Sequence, residues 1–470
     1  MGYKLTTLDF ESLARMVEQK LFGTSGIRGV VNVDITPTLA VNVGLALATY
    51  TNSGRIVVGH DTRVSSPFLE HSLISGLLAG GSTVHRVGLT PTPVLAFITK
   101  ETKADAGVMI TASHNPPEYN GIKLFNADSM AYDEKQQNQI ESIVANKRYK
   151  RAHWQNIGTP TFLDETNRYI EAIRKAVKLE KKWRIVLDPG CGAACQIAPT
   201  LFRMLGCKVT TLNAQPDGFF PARSPALEAE SLQPLCRIVE QLDTDLGIAY
   251  DGDGDRMVAV DENGALAPLD QILAAYASHM VKKHNGETVV TTVEASMCFE
   301  RMVESYGGKV VRTKVGDVSV AVVMKQHRAI FGGEPCGAWI HPQYHFCPDG
   351  ILSSVLLLKT LEEKGTVLSS FVSEAPRYDV LRKNVACSNE IKSMVMEKIE
   401  KLLPSLFPKI KEKLTIDGIC LALRNGRILI RPSGTEPLIR LTAEAESIKE
   451  AEEIMQQCVK LVKRIVREMI

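Results

Sequence analysis

Three times along this chain an apolar run gives way to a polar loop, a helix-like stretch, a glycine stop and a second apolar run. GRIVVGHDTR (54–63) opens the first copy, which ends at Gly80-Gly81-Ser-Thr-Val. WRIVLDPGCG (183–192) opens the second, ending at Gly206-Cys-Lys-Val, and GETVVTTVEAS (286–296) opens the third, ending at Gly307-Gly308-Lys-Val. Strand, loop, helix and strand in that order predict a right-handed βαβ crossover, with the helix lying over a parallel sheet. In the first copy Ser66-Pro67 reads as a helix N-cap followed by proline at the first helical position. A chain of 470 residues is too long for one hydrophobic core. Three repeats therefore predict three α/β domains of about 100 to 150 residues each.

The segments between and after the repeats have a different character. Residues 133–182 are rich in Lys, Glu, Gln and Arg at helical spacing and read as a helical link. Beyond SEAPRYDV comes a charged helical stretch (389–403), a segment around Asp417-Gly418, and the pair of alternating runs ICLALRNGRILIRPS. Asn425-Gly426 between those runs is a hairpin signal, and an amphipathic helix is expected from Ser447 to the end. The resulting division is 1–155, 156–258 and 259–371 for the α/β domains, and 372–470 for a smaller α+β domain.

Composition narrows the class of partner. Fifty-five basic and 53 acidic residues give a net charge of +2, and no helix-turn-helix or zinc pattern is present, so no nucleic-acid partner is expected. No apolar stretch reaches the ~20 residues of a membrane span. The N-terminal MGYKLTTLDFESLARM mixes acidic residues into an amphipathic pattern, unlike a signal peptide. The ten cysteines are scattered without a CxxC pair, as expected of a reduced, cytoplasmic protein.

Glycine-bearing polar segments carry the chemistry. In TASHNPPEYNGIKLFN (111–126) a strand would end at Ile110 and place Ser113 and His114 at its carboxyl edge, where α/β sheets put ligands. Lys123 lies within reach if the loop folds back. A serine beside a histidine suggests an acyl-transfer nucleophile, but GxSxG is missing and neighbouring side chains on extended backbone point apart. A polar loop capping a helix is the plainer alternative.

DGDGDR (251–256) lies between two apolar runs and reads as a tight loop at a strand end. Asp251, Asp253 and Asp255 converge on a hard cation, because three buried like charges are otherwise very costly. Magnesium, which takes few carboxylates, fits best. An EF-hand also starts with alternating aspartates, but Arg256 stands where it needs glycine and no helices flank the loop. Arg256 itself is a fork suited to a phosphate oxygen.

GGEPCG (332–337) reads equally as a plain turn or as one exposing the Glu334 carboxylate to a hydroxyl-rich ligand, with Cys336 an ordinary small residue. RPSGTEPLIR (431–440) offers a guanidinium from Arg431, hydroxyls from Ser433 and Thr435, and backbone N–H groups around Gly434, a phosphate cradle without a Walker motif. LFGTSGIRGVVN (21–32) adds Thr24, Ser25 and Arg28 as a further phosphate-lining set, or a merely flexible loop. Together these describe an enzyme that moves a phosphoryl group on a phosphorylated polyol. The absence of an ATP-binding signature argues against a kinase.

TASHNP, DGDGDR, GEP and RPSGTEP, in this order, resemble the α-D-phosphohexomutase superfamily across nearly the whole chain. The resemblance implies three related α/β domains and a TATA-box-binding-protein-like C-terminal domain around a central cleft. It implies that Ser113 rests as phosphoserine and shares Mg²⁺ with Asp251, Asp253 and Asp255. It implies transfer to the sugar through a hexose or hexosamine 1,6-bisphosphate, which serves as intermediate and activator. Arg28, Lys123 and Arg256 would steer charge, Lys123 or His114 would move the proton, and Glu334 would bind sugar hydroxyls. Cys336 departs from the serine common in the family. Arg431, Ser433, Gly434 and Thr435 would hold the distal phosphate.

RTKVGDVSV (312–320) looks like the corresponding segment of phosphoglucosamine mutases and of many archaeal phosphomannomutase-like proteins, and dual-specificity bacterial enzymes tend to have histidine in place of Asp317. The implied reaction joins glucosamine 6-phosphate and glucosamine 1-phosphate, with mannose or glucose phosphates as the alternative. The implied assembly is a monomer or homodimer.

Overall fold

The computed structural model describes residues 20–23, 25–434 and 436–469. The N-terminal MGYKLTTLDFESLARM, Thr24 and Thr435 lie outside the described residues. Two compact units make up the chain: residues up to Leu266 together with Ala338–Gly365, and Ala267–Gly337 together with the stretch from Thr366 onward.

The first unit opens with β1 (Ile27–Val30), followed by the helix Pro37–Tyr50. Thr36 caps that helix by accepting from the Leu39 N–H at 3.2 Å, and Pro37 occupies a position where no N–H is needed. Then come β2 (Arg55–His60), the helix Ser66–Ala79, β3 (Thr83–Leu89), the helix Thr92–Glu101, β4 (Ala106–Ile110) and β5 (Tyr119–Asn126). β2 pairs in parallel with both β3 and β4. Ile56, Val57 and Val58 of β2 are fully buried, as expected of a parallel strand covered on both faces.

The expected cap of the Ser66–Ala79 helix is different in detail. Ser66 is already helical, Ser65 before it makes no side-chain cap, and Ser66 Oγ donates to Asp61 Oδ1 at 2.7 Å. The Ser66 hydroxyl is turned toward Asp61 and accepts instead from Asn120 Nδ2 at 3.0 Å.

The linking stretch contains the expected helices, Glu134–Ala145 and Thr166–Ala176, and also β6 (Thr161–Phe162), which extends the sheet beside β3. A strand this short has no periodicity to read. β7 (Arg184–Asp188), the helix Ile197–Met204 and β8 (Lys208–Thr211) form the second crossover, again parallel. β9 (Leu246–Tyr250) runs parallel to β7, and β10 (Met257–Val260) returns antiparallel to β9.

In the second unit β11 (Thr288–Thr292), the helix Cys298–Ser305 and β12 (Lys309–Thr313) form the third crossover. The helix Asp317–His327 then leads to β13 (Phe331–Gly333), parallel to β11. The chain returns to the first unit with β14 (Trp339–Ile340) and the helix Gly350–Lys364, whose Asp349 cap accepts from the Leu352 N–H at 2.9 Å.

The remainder of the second unit is antiparallel. β15 (Asp379–Ala386), β16 (Ile410–Leu414), β17 (Ile419–Leu423), β18 (Gly426–Pro432) and β19 (Leu438–Ala445) order as β15-β19-β18-β17-β16. The expected hairpin is β17–β18, closed at Ala422↔Arg427. Ser447 caps the final helix Ile448–Arg467, whose Ile454, Cys458, Leu461 and Ile465 pack on Ile428, Ile430 and Leu441 of the sheet. All ten cysteines are free thiols. Among the described residues no helix is long and apolar enough to cross a membrane.

One contact sets how closely the first two helices approach. A methyl group on Gly44 would lie 2.3 Å from the Leu73 carbonyl oxygen, and one on Gly76 would lie 2.1 Å from that of Val41. The helices Pro37–Tyr50 and Ser66–Ala79 therefore touch backbone to backbone, which only glycine permits. Gly76→Ala is expected to destabilise the protein by about 1–3 kcal/mol through overpacking, measured as a lower urea midpoint at unchanged slope.

Candidate active site

In the first unit the serine loop follows β4 and the aspartate loop joins β9 to β10, both at carboxyl ends of parallel strands. Ser113 is fully buried and adopts a left-handed backbone, φ 52°. Its Oγ donates to Asp251 Oδ2 at 2.9 Å and stands 3.3 Å from His114 Nδ1. The expectation that these neighbouring side chains point apart fails because the backbone is not extended there. A methyl on Gly252 would lie 2.5 Å from the Ser113 carbonyl oxygen, so the two loops meet main chain to main chain.

Asp251, Asp253 and Asp255 are buried, and one ligand atom from each lies within 4.8 Å of the others. The antiparallel pairing of β4 with β5 sets Lys123 opposite Met109, and its Nζ donates to Asp253 Oδ2 and Asp255 Oδ2, each at 2.7 Å. Thr92 Oγ1 donates to Asp253 Oδ2 at 2.5 Å, and the Arg256 N–H donates to Asp251 Oδ1 at 3.2 Å. Arg256 Nε lies 3.8 Å from Asp255 Oδ1, and Arg28 on β1 donates to Asn115 Oδ1 of the serine loop at 3.2 Å.

The three carboxyls titrate apart. Burial, then repulsion from Asp255 and Asp253, pushes Asp251 well above the usual carboxylate range. Burial and Asp253 also raise Asp255. Burial works against ionisation of Asp253 too, but Lys123 and Thr92 outweigh it and hold that group low. Burial, assisted by Arg256 and Arg28, pushes the His114 imidazole down to about 3.

The chemistry of this set fits a divalent cation. Asp253 Oδ1 and Asp255 Oδ1 are buried and accept no hydrogen bond. Two orphaned carboxylate oxygens beside a third acid are hard oxygen ligands suited to Mg²⁺.

The second unit holds the other expected residues. Glu334 follows β13, but its carboxylate is not exposed as the glycine-rich turn suggested. It is buried, and Oε2 accepts from the Gly316 N–H at 2.9 Å. A carboxylate leaving a buried strand meets a neighbouring loop's backbone donor before it meets water. That contact joins it to the loop carrying Asp317, the half-buried first residue of its helix. Cys336 is half-buried.

Arg431 departs from the open cradle expected of it. Its Nη2 pairs with Asp417 Oδ2 at 2.8 Å and its Nη1 pairs with Glu294. Ser433 is buried and its Oγ accepts from the Glu436 N–H at 3.2 Å, while Gly434 is exposed. Lys392 steadies this loop by donating to the carbonyls of Ser433 and Glu436, each at 2.7 Å.

Thr92, Asn115, Lys392, Glu294 and Asp417 were not singled out from sequence. Thr92 sits in TPTP at the start of a helix, where a capping role is the natural reading. Lys392 looks like any lysine of a charged helix.

Four family models match the chain in order. Phosphoglucomutase/phosphomannomutase alpha/beta/alpha domains I, II and III match residues 19–151, 167–264 and 268–378, and the C-terminal domain matches 383–461. A probable phosphoglucosamine mutase from Pyrococcus abyssi is 47% identical over 449 residues, 96% of this chain and 99% of its own. A probable phosphoglucosamine mutase from Methanobrevibacter smithii is 46% identical over 451 residues, 95% of this chain and 99% of its own. The crystal structure of a phosphoglucomutase/phosphomannomutase family protein from Burkholderia thailandensis superposes with a TM-score of 0.86 at 26% identity, covering 95% of this chain and 97% of that one. With all four domains present in sequence, the chain belongs to the phosphoglucomutase/phosphomannomutase family and is a phosphohexomutase.

Proposed function

We propose that this phosphohexomutase interconverts glucosamine 6-phosphate and glucosamine 1-phosphate, using Ser113 as the phosphoryl carrier. The observation that carries the reading is the Ser113 hydroxyl donating to Asp251 at 2.9 Å inside a three-carboxylate cluster. A hydroxyl with no such cation site beside it has no means of holding a phosphate dianion in a buried position. The amino-sugar assignment draws on the named relatives at 47% and 46% identity, and on an acidic Asp317 suited to an ammonium.

In the forward direction the bond between phosphorus and Ser113 Oγ breaks as a bond to the sugar hydroxyl oxygen forms, giving the hexosamine 1,6-bisphosphate. Lys123 Nζ hands one of its protons to Asp255, a partner at 2.7 Å, and as the neutral amine then takes the proton of the attacking hydroxyl. His114, near Ser113 Oγ, orients that oxygen. The bisphosphate then returns its other phosphoryl group to Ser113 Oγ, so the serine ends as it began and no phosphate is lost.

Asp251, Asp253 and Asp255 would hold Mg²⁺, which supplies charge neutralisation to the phosphoryl group in transfer. Arg28 and Arg256 add positive charge to the same loops. Glu334 accepts from sugar hydroxyls. Arg431 with Ser433, Gly434 and Thr435 takes the phosphate that is not reacting, and Cys336 contributes only a weak thiol donor.

Ser113→Ala is expected to lower turnover by a factor on the order of 10⁴ or more while the thermal midpoint stays in place. Full activity in that variant rejects the carrier role. Lys123→Met is expected to lose about 10²- to 10⁴-fold in kcat, the range of a removed proton-transfer group.

Initial rates on glucosamine, mannose and glucose 6-phosphates, each primed with its bisphosphate, test the substrate. Equal rates, or a preference for mannose, defeat the amino-sugar assignment. Release of inorganic phosphate in place of isomer would mark a phosphatase. Asp317→Asn is expected to raise KM for glucosamine 6-phosphate by a few-fold, about 1 kcal/mol, and to leave glucose 6-phosphate unchanged.

Asp251→Asn removes one of three mutually repelling carboxyls. Without metal the variant is expected to be at least as stable as the parent protein, while Mg²⁺ no longer raises its thermal midpoint. In the parent, saturating Mg²⁺ at about 100 times its Kd adds about 2.7 kcal/mol.

A further inference from the structure

We infer that two buried arginines, Arg63 and Arg223, are positioning residues that hold main-chain carbonyls, Arg63 those of the serine loop and Arg223 that of the residue leading into the aspartate loop. The inference rests on the phosphoryl-carrier reading of Ser113 given above.

Arg63 is completely buried, and so is Asp61, the residue just past β2 with which it pairs at 3.1 Å. Its guanidinium is otherwise spent on the serine loop. Nη2 donates to the carbonyls of Ser113 and Asn115, at 2.9 and 2.6 Å. Nη1 donates to those of Pro116 and Tyr119, at 2.5 and 3.0 Å. The Phe220 ring covers the cation, its centre 5.3 Å from Cζ.

The aspartate reaches the same loop from the other side. Thr111 Oγ1 donates to Asp61 Oδ2 at 2.7 Å and accepts from the Ser113 N–H at 2.9 Å. Ser113 is thus held at both its N–H and its C=O while its φ is 52°. A left-handed serine next to an extended run would relax toward the β region without such restraint. Relaxation would turn Oγ away from Asp251.

The second α/β repeat has the same device. Asp188 ends β7 as Asp61 follows β2, and Arg223 Nε pairs with Asp188 Oδ2 at 2.9 Å. Arg223 Nη2 donates to the Tyr250 carbonyl at 2.6 Å, one residue before Asp251. Each arginine therefore reaches the carboxyl end of the parallel neighbour of its repeat's first strand: Arg63 the loop after β4, and Arg223 the last residue of β9, just before the aspartate loop. Lysine, with three donors on one nitrogen, cannot span the carbonyls that a planar fork of five donors reaches.

The test uses the full-length enzyme. Arg63→Lys and Thr111→Val are each expected to lower kcat by about 10- to 100-fold, the effect of a misplaced reacting group. KM for the sugar phosphate and the calorimetric Kd for Mg²⁺ should stay within about twofold in both, because neither residue touches those ligands. Arg223→Lys should instead weaken Mg²⁺ binding by about tenfold, read by calorimetry without turnover. Millimolar guanidinium, but not methylammonium, should restore part of kcat to Arg63→Ala.

Thr111→Val is near-isosteric and keeps the Asp61–Arg63 pair, so it decides the matter if Arg63→Lys does not fold. A kcat within about twofold of the parent in Thr111→Val, or in folded Arg63→Lys, overturns the inference. Equal losses in kcat, KM and Mg²⁺ affinity also overturn it, since they report general loosening. Failure of the carrier reading is separately visible, as turnover that survives Ser113→Ala.

Discussion

Three carboxylates share a buried space with one ammonium, and the surroundings follow from that imbalance. Asp251, Asp253 and Asp255 bring three potential negative charges, and Lys123 pairs with Asp253 and Asp255. Burying a charge without compensation is among the most expensive things a fold can do. The metal-free protein meets the deficit by keeping Asp251 and Asp255 easier to protonate than usual while Asp253 stays ionised. A divalent cation removes the same deficit with the protons released. The electrostatic tension and the fit to a divalent cation thus have one cause, the packing of three carboxyls around Lys123. Lys123 is available because β5 runs antiparallel to β4, which carries the residue from a distant point in the loop back beneath the aspartates.

Charge in the second unit is balanced in the opposite sense. Arg431 carries the positive charge of the RPSGTEP loop, yet Asp417 and Glu294 both hold it. A guanidinium already paired attracts a phosphate less strongly than an open one, because carboxylates must share or yield their hydrogen bonds. On the proposed route, in which this loop takes either end of a bisphosphate and releases it again, moderate attraction is the useful condition. Tight uniform binding of a phosphate would lower KM without speeding transfer. Lys392 acts on the loop differently, since its bonds to the Ser433 and Glu436 carbonyls shape the backbone and leave the anion-binding groups alone.

What could be read from the residues was local. The three crossovers, the hairpin at Asn425-Gly426 and the helix capped by Ser447 are each specified by neighbours within a few positions, and each forms. The convergence of the aspartates was also legible, because alternation and two glycines act within one loop. Misreadings occurred wherever a partner came from far along the chain. Ser66 was taken for a cap because nothing near it in sequence announces Asn120, whose Nδ2 donates to its hydroxyl. Glu334 was taken for an exposed carboxylate because nothing near it in sequence announces the Gly316 N–H. Ser113 was read on an extended backbone because its left-handed turn is imposed by residues about fifty positions away. β6 escaped notice because it gains its identity only from β3.

The same division explains why chemical motif and working geometry are separable in this fold. TASHNP and DGDGDR supply a hydroxyl and three carboxylates, but the side chains that hold the carbonyls of Ser113 and Tyr250 lie outside both segments. They belong to two buried pairs, Asp61–Arg63 just past β2, and Asp188 at the end of β7 with Arg223 from the loop after β8. An ion pair buried this deeply contributes little net stability compared with apolar packing of the same volume. Its advantage is directional: a rigid fork can bind several carbonyls of an irregular loop at once, which no apolar side chain does. The close approach of Gly252 to the Ser113 carbonyl leaves no slack between the two loops. A displacement of either loop therefore changes the distance from Oγ to the carboxylates directly. A chain that kept both motifs and lost the two arginines would retain every reacting group and still lack the arrangement that lets them act together.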